Sequence, residues 1–132
     1  MKILFLFIDG VGYRDVAPDN PVNDSVCPTL CRLMNSSAVR IDACLGIAGL
    51  PQSATGQATM FTGVNASEFM GRHCEGFPGP SLRSLIEKDN IFMRLRDGGK
   101  RCRFADAYMI DSIDDLRMRR FKSVTTVMSL TC

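Results

Sequence analysis

The first residues of the chain constrain its fold more than any other segment. Lys2 is followed by six apolar residues, Ile3 to Ile8, and the run stops at Asp9-Gly10-Val11-Gly12. An apolar run this short, ended sharply by aspartate and glycine, favours a buried strand over a helix. Because polar and apolar residues do not alternate, the run predicts a strand that is covered on both faces, as in a parallel sheet.

The rest of the chain alternates helical and strand-like patterns. Helices are predicted at 28–34, at 53–63, at 82–95 with a break at 89–90, and at 113–120, while the Gly/Pro-rich stretch 71–80 is predicted to be irregular. Strands are predicted at 39–45 and 100–108, and the C-terminal run 123–132 is apolar and β-prone or core-like. Strands that alternate with helices predict an α/β layer structure with a mostly parallel sheet.

The length of the chain limits the number of domains, and its net charge limits the classes of partner. A chain of 132 residues predicts a single domain, residues 1–132, and its abrupt apolar C-terminus indicates that this domain is truncated. Sixteen Lys and Arg against fourteen Asp and Glu leave a net charge of +2, which is too small to predict a nucleic-acid or membrane partner. No apolar stretch reaches the roughly 20 residues of a membrane helix.

Cysteine and histidine usage indicates compartment and metal chemistry. Six cysteines would suit a disulfide framework in a secreted protein, but no export signal is visible, so we expect reduced thiols and a cytoplasmic protein. Cys27 and Cys31 have no second cysteine pair or histidine at zinc-ligand distance. The single histidine is His73.

Asp9 is the first candidate for chemistry. Ligands collect at the carboxyl ends of strands in open α/β sheets, and an aspartate there is a natural oxygen ligand for a divalent cation. The alternative is that Asp9 only braces the following turn. A dinucleotide-binding motif at Gly10-Val11-Gly12 is disfavoured, because position 15 is Asp where that motif needs glycine.

The second candidate is the segment from Gly49 to Gly63, which carries several hydroxyl residues among small ones: Ser53, Thr55, Thr59 and Thr62. A hydroxyl at a helix N-terminus lies beside unpaired N–H groups and a partial positive charge, which suits a phosphoryl oxygen. The alternative is structural, since serine is a favoured N-cap and threonine in such helices packs or bonds to the backbone.

Together the two segments resemble the alkaline-phosphatase superfamily, in particular the bacterial metalloenzyme branch related to cofactor-independent phosphoglycerate mutase and phosphopentomutase. In that branch a metal-ligating aspartate follows the first strand, as Asp9 does. The nucleophilic Ser or Thr lies three residues before a glycine and nine before a Thr-Gly pair, which matches Ser53, Gly56 and Thr62-Gly63. Further similar stretches run along the chain: 63–66, 70–73, 76–78, 90–92, 99–100 and 123–127.

The resemblance implies the N-terminal portion of an alkaline-phosphatase-like three-layer core and a metal-dependent phosphomutase or phosphatase acting on a small phosphorylated substrate. It implies Ser53 as nucleophile and metal ligand, with Thr55 as runner-up, and Asp9 as metal ligand. We expect the Asp9 carboxylate and the Ser53 hydroxyl to converge within reach of one cation. Gln57 and His73 are assigned to the substrate side.

Two departures from the family pattern limit what the chain does alone. The mutases usually carry histidine at the position of Gln57, and a two-metal centre needs more Asp and His ligands than this sequence contains. We therefore expect an N-terminal fragment with little or no activity, and leave open Mn²⁺, Mg²⁺ or Zn²⁺ as the two cations of the complete enzyme. The alternative is a non-catalytic fragment or interaction module.

Overall fold

The computed structural model describes residues 2–15, 17 and 19–132, and this part of the chain contains seven helices. They are α1 (Pro28–Ser36), α2 (Ser53–Thr62), α3 (Ala66–Met70), α4 (Pro80–Lys88), α5 (Ile91–Asp97), α6 (Ile113–Met118) and α7 (Val124–Thr131). None of the helices in these ranges is long and apolar enough to cross a membrane. The chain divides into two compact units, a first unit of Met1–Asp42 and a second unit of Ala43–Cys132.

The predicted α/β fold is wrong, because the described residues form no strand and therefore no parallel sheet or three-layer core. The predicted strands at 2–8, 39–45 and 100–108 are all without regular structure. A strand is stable only where its backbone N–H and C=O groups pair with a neighbouring strand, and apolar side chains alone do not supply that pairing. Leu4 is 89% exposed, in the middle of the run that was expected to be most buried.

The predicted helices are confirmed, with the expected break between α4 and α5. Proline occupies the first helical position of α1 and of α4, where its missing N–H costs nothing. Asp89 follows the last residue of α4, and Asn90 caps α5, since its Oδ1 accepts from Phe92 N at 3.0 Å and Met93 N at 3.2 Å. Local signals therefore set these helix starts: proline at the first position of α1 and α4, and the Asn90 side-chain cap of α5.

The C-terminal run, predicted to be β-prone or core-like, adopts a helix, α7. Ser123 caps it by accepting a hydrogen bond from Thr126 N at 3.1 Å. Val124, Val127 and Met128 are buried, and their spacing of three and four residues places them on one helical face. The cap and the burial of this face outweigh the weak helix propensity of the β-branched residues.

The core of the second unit is built where α2, α4 and α7 meet. Small residues on α2 allow close approach: Ala54 and Ala58 lie one turn apart and are 1% and 0% exposed. Leu82 and Ile86 of α4 are both 0% exposed. The remaining buried members are Phe61, Ala66, Cys74, Val124, Val127 and Met128. This core holds α2 in place, and with it the hydroxyl-bearing motif that runs from Ser53 to Gly63.

The first unit is held by polar contacts around Asn20. The Asn20 Nδ2 group donates to the carbonyls of Arg14 and Asp15, each at 3.4 Å, and its Oδ1 accepts from Val22 N at 3.0 Å. The Arg40 guanidinium contacts the Tyr13 ring and hydroxyl. Helix α1 buries no residue. Among the described residues of this unit, Asn20 is the one that is buried, and no apolar side chain is buried.

Candidate functional site

Ser53 is the first residue of α2 and is half-buried. The preceding Gln52 is the N-cap residue, with extended backbone and no side-chain capping bond. The first turn carries no acidic residue. Ser53 therefore lies at the positive end of a ten-residue helix, where the sequence predicted the nucleophile.

The backbone donors beside Ser53 are already engaged by the loop that follows α3. The Cys74 carbonyl accepts from Ala54 N at 3.1 Å and from Thr55 N at 3.3 Å. In return, Cys74 N donates to the Thr55 hydroxyl at 3.2 Å, and that hydroxyl donates to the Gln52 carbonyl at 3.3 Å. This reciprocal contact satisfies the first turn of α2 and fixes the buried Cys74 against it.

Thr55, the runner-up nucleophile, is fully buried by these contacts. The two later threonines of the motif also bond to the backbone: Thr59 Oγ1 donates to Thr55 O at 2.9 Å, and Thr62 Oγ1 donates to Ala58 O at 2.7 Å. Such bonds are the structural alternative that threonine in a small-residue helix predicts. Among the four hydroxyl residues of the motif, Ser53 is the one that begins the helix.

Gln57, predicted to contact substrate, lies four residues after Ser53 and is 8% exposed. This spacing places the two side chains on the same face of α2. Gly56 lies between these two residues in sequence, and a Cβ added there would meet no atom within 4 Å. No other part of the described chain therefore packs against the backbone of α2 at Gly56. The substrate-side assignment of Gln57 stays a prediction.

His73 connects α3 to the loop that precedes α2. Its Nε2 lies 3.0 Å from the Ile47 carbonyl and its Nδ1 lies 3.2 Å from Ser67 Oγ. Because a carbonyl only accepts, Nε2 carries the proton in the neutral ring and Nδ1 accepts from the serine hydroxyl. Gly49 lies against the ring, since a Cβ there would be 3.4 Å from His73 Cδ2. Both ring nitrogens are thus within bonding distance of protein groups.

Asp9 is exposed and belongs to the first unit, whereas Ser53 belongs to the second. Gly10, directly after it, has a φ of 77°, which glycine adopts without strain. The chain therefore turns immediately after the aspartate. The expected convergence of Asp9 and Ser53 stays a prediction.

Two residues that the sequence did not single out organise this region. Cys74 supplies the carbonyl that caps α2, and Ser67, which is 1% exposed, orients His73. These contacts join residues about six to twenty positions apart, so no local pattern identifies them. The one available signal is the glycine-bearing turn at Gly71, where the φ of 64° ends α3 and returns the chain towards Ser67.

In the described ranges, no group of three or more His, Cys, Asp and Glu side chains is arranged to hold a metal ion. Comparisons with models of protein families, with curated proteins and with solved structures found no match to this chain.

Proposed function

We propose that the chain carries the nucleophilic serine of a metal-dependent phosphoryl-transfer enzyme of the phosphomutase or phosphatase type. The proposal rests on the resemblance of the Asp9-Gly10 and Ser53–Gly63 segments to the phosphoglycerate mutase and phosphopentomutase branch. The observation that carries it is the position of Ser53 at the first residue of α2, the positive end of that helix.

In the proposed reaction, Ser53 Oγ attacks the phosphorus of a small phosphorylated substrate in line with the leaving oxygen. The hydroxyl proton leaves and a phosphoserine forms, which divides one difficult displacement into two. Water then resolves this intermediate in a phosphatase, or a second substrate hydroxyl does so in a mutase. The helix dipole at the start of α2 favours the charge on the transferring group.

A hard divalent cation is the cofactor that the donor atoms of the two assigned residues favour. Asp9 would offer a carboxylate and Ser53 a hydroxyl oxygen, both of which suit Mg²⁺ or Mn²⁺. Zn²⁺ favours nitrogen and sulfur ligands, and both nitrogens of the only histidine lie against Ser67 and Ile47. The cation would supply the charge that neutralises the phosphate. We propose that the other metal ligands are residues other than Asp9 and Ser53.

The alternative proposal is a non-catalytic fragment or interaction module, in which the same residues have structural roles. It is favoured by the Cys74 carbonyl, which accepts hydrogen bonds from the N–H groups of Ala54 and Thr55 that could otherwise bind a phosphate.

For either function we propose a cytoplasmic location, and the six cysteines, all of which are free thiols, support it.

The two proposals are separated by Mn²⁺ binding, measured on the purified chain from the electron paramagnetic resonance signal of the unbound ion. Loss of a residue that only supports a metal ligand already weakens metal binding by roughly tenfold or more. If Asp9 is itself a ligand, Asp9→Asn should therefore weaken Mn²⁺ binding by at least about tenfold. Asp24→Asn, which removes another exposed carboxylate of the first unit, is the matched control and should leave binding unchanged. Equal effects of the two variants would contradict the metal site.

Turnover of a general phosphate monoester with Mn²⁺ tests the nucleophile and the need for further ligands. We expect the chain alone to show little or no turnover, and Ser53→Ala to be indistinguishable from it, because charge stabilisation of the transferring group is incomplete. Robust turnover that disappears in Ser53→Ala would keep the nucleophile but show that the chain assembles a working site. Robust turnover that survives Ser53→Ala would reject the nucleophile.

A further inference from the structure

The apolar run at residues 3–8 is exposed to solvent in both its side chains and its backbone. The side chains of Ile3, Leu4 and Leu6 are mostly exposed. Residues 2–8 adopt no regular structure, and the backbone groups of Leu4 and Leu6 form no hydrogen bond within the part of the chain that the structure describes. Leu4 and Leu6 therefore present apolar surface and hydrogen-bonding peptide groups together, as a strand at the edge of a sheet does.

The composition of this run is typical of segments that pair with copies of themselves. It contains only isoleucine, leucine and phenylalanine, with no proline, glycine or charged residue. Isoleucine and phenylalanine both favour strands. When such short segments from many chains stack as strands, every backbone group bonds to the chain above or below, and the side chains interdigitate. An exposed run of this composition is therefore a template for another strand.

Opposite charges at the two ends of the run select the partner and its direction. Lys2 precedes the run, Asp9 follows it, and both residues are exposed. If two copies of the chain pair antiparallel with Lys2 opposite Asp9, a favourable cross-strand ion pair forms at each end of the paired segment. In a parallel pairing in register, Lys2 would face Lys2 and Asp9 would face Asp9, and like charges directly opposite are destabilising. The charges therefore make the run complementary to an antiparallel copy of itself.

We propose that residues 2–9 are a self-association site, at which a second copy of this chain pairs as an antiparallel strand. Between the two ion pairs, the opposed residues are Ile3 with Ile8, Leu4 with Phe7 and Phe5 with Leu6. Every apolar side chain then faces another apolar side chain, which is the unit of stabilisation in a sheet. The pairing uses no nucleophile and no cation, so it is independent of the phosphoryl-transfer proposal.

The same register determines that more than two copies join. Opposed residues of an antiparallel pair project from the same face of a sheet, so Phe5 of one copy shares a face with Leu6 of the next. Because successive side chains alternate between faces, Phe5 of the next copy projects from the opposite face, and the contact does not close on two copies. Each strand keeps a second edge for a further copy. Two strands alone are only marginally stable, so assembly should begin above a threshold concentration.

The first experiment raises the concentration of the purified 132-residue chain and follows its association by light scattering and sedimentation. Above the threshold we expect assemblies whose fibre diffraction shows the strand spacing of about 4.7–4.8 Å. Leu6→Pro removes a backbone donor from the centre of the run and should abolish assembly. Val39→Pro, at a mostly exposed apolar position outside the run, is the matched control and should assemble as the wild type does. Far-ultraviolet circular dichroism checks that both variants keep their helices.

The second experiment tests the direction of pairing by reversing charges. Lys2→Glu places two carboxylates opposite each other at each end of the paired segment, and it should raise the threshold concentration by roughly twofold to tenfold. Adding Asp9→Lys to this variant exchanges the two charges and should restore the wild-type threshold. Lys100→Glu makes the same change of net charge at an exposed lysine outside the run, and it should not raise the threshold. Since either single lysine variant removes the net charge of +2, a general charge effect would promote association instead.

Three results would overturn the proposal. In the first, the wild-type chain stays monomeric at every concentration up to its solubility limit, a result that no variant is needed to read. In the second, assembly survives Leu6→Pro, which would place the contact outside the run. In the third, Lys2→Glu leaves the threshold unchanged or lowers it. An unchanged threshold is the result that parallel pairing in register predicts, and a lowered one is the result of a general charge effect.

Discussion

The two units contain apolar side chains of the same kinds but bury them to opposite extents. Leu4 and Leu6 of the first unit are 89% and 73% exposed, while Leu82 and Leu116 of the second are 0% and 1% exposed. The first unit begins with the most continuous apolar run of the chain. Its described residues nevertheless include no buried apolar side chain.

The difference lies in the partners that each segment finds. Helices satisfy their own backbone hydrogen bonds, so α2, α4 and α7 need only bring their apolar faces together. A strand-like run cannot satisfy its backbone alone and requires a neighbouring strand. Apolar composition therefore predicts a tendency towards burial, and the availability of a partner decides whether burial occurs.

The sharpest test of this difference replaces one leucine in each unit. Leu82→Ala should lower the free energy of unfolding of the second unit by about 2–5 kcal/mol, because it leaves a cavity among packed side chains. Leu4→Ala should change stability by no more than about 0.5 kcal/mol, since an exposed side chain has little packing to lose. Urea unfolding followed by far-ultraviolet circular dichroism measures both values. Equal losses in the two variants would show that residues 2–8 are packed.

Two buried asparagines extend the comparison to polar groups. Asn90, which is 0% exposed, caps α5 and donates to the Ile86 carbonyl at 3.0 Å, so Asn90→Ala should cost about 2 kcal/mol. Asn20 is 8% exposed and its two donated bonds are both 3.4 Å long, so Asn20→Ala should cost about 0.5–1.5 kcal/mol. The same urea titration ranks the two variants, and a larger loss at Asn20 would reverse the comparison.

The smallest expected effect concerns an exposed ion pair and depends on pH. Arg94 donates to both carboxylate oxygens of Asp89, from Nε to Oδ1 at 2.9 Å and from Nη2 to Oδ2 at 2.6 Å, and this holds the pKa of Asp89 below its ordinary value of 3.8. A lowered folded-state pKa stabilises the fold above the unfolded value, and the stabilisation is lost as the pH falls through the folded value. Asp89→Asn should therefore unfold at slightly lower urea than wild type at neutral pH, and the two should converge once the pH falls below the lowered folded-state pKa of Asp89.

Asp19→Asn in the first unit is the matched ion-pair control, since Asp19 Oδ2 lies 3.0 Å from Arg14 Nη1 and both side chains are mostly exposed. We expect no change in the unfolding of the second unit from this variant at any pH. High salt should also reduce the Asp89→Asn effect, because screening weakens exposed ion pairs. A difference at Asp89 that persists unchanged at low pH would contradict the ionic origin.

Helix positions were predictable from the sequence because their signals are local. Pro28 at a first helical turn, Asn90 at the break between α4 and α5, and Gly63 directly after α2 act on their own neighbours, and the structure has them in these roles. The start of α2 at Ser53 was also predicted, although its N-cap is Gln52 and makes no side-chain capping bond. Local chemistry thus determined where the serine of the candidate site lies.

The contacts that join distant segments were decided only by the tertiary structure. No sequence pattern indicates that the Cys74 carbonyl caps α2, that Ser67 orients His73, or that the C-terminal β-prone run becomes α7. The same holds for residues 2–8, whose apolar pattern is identical whether or not a neighbouring strand is available. Pairing and packing depend on which segments meet in space, and that is a property of the whole chain rather than of any local run of residues.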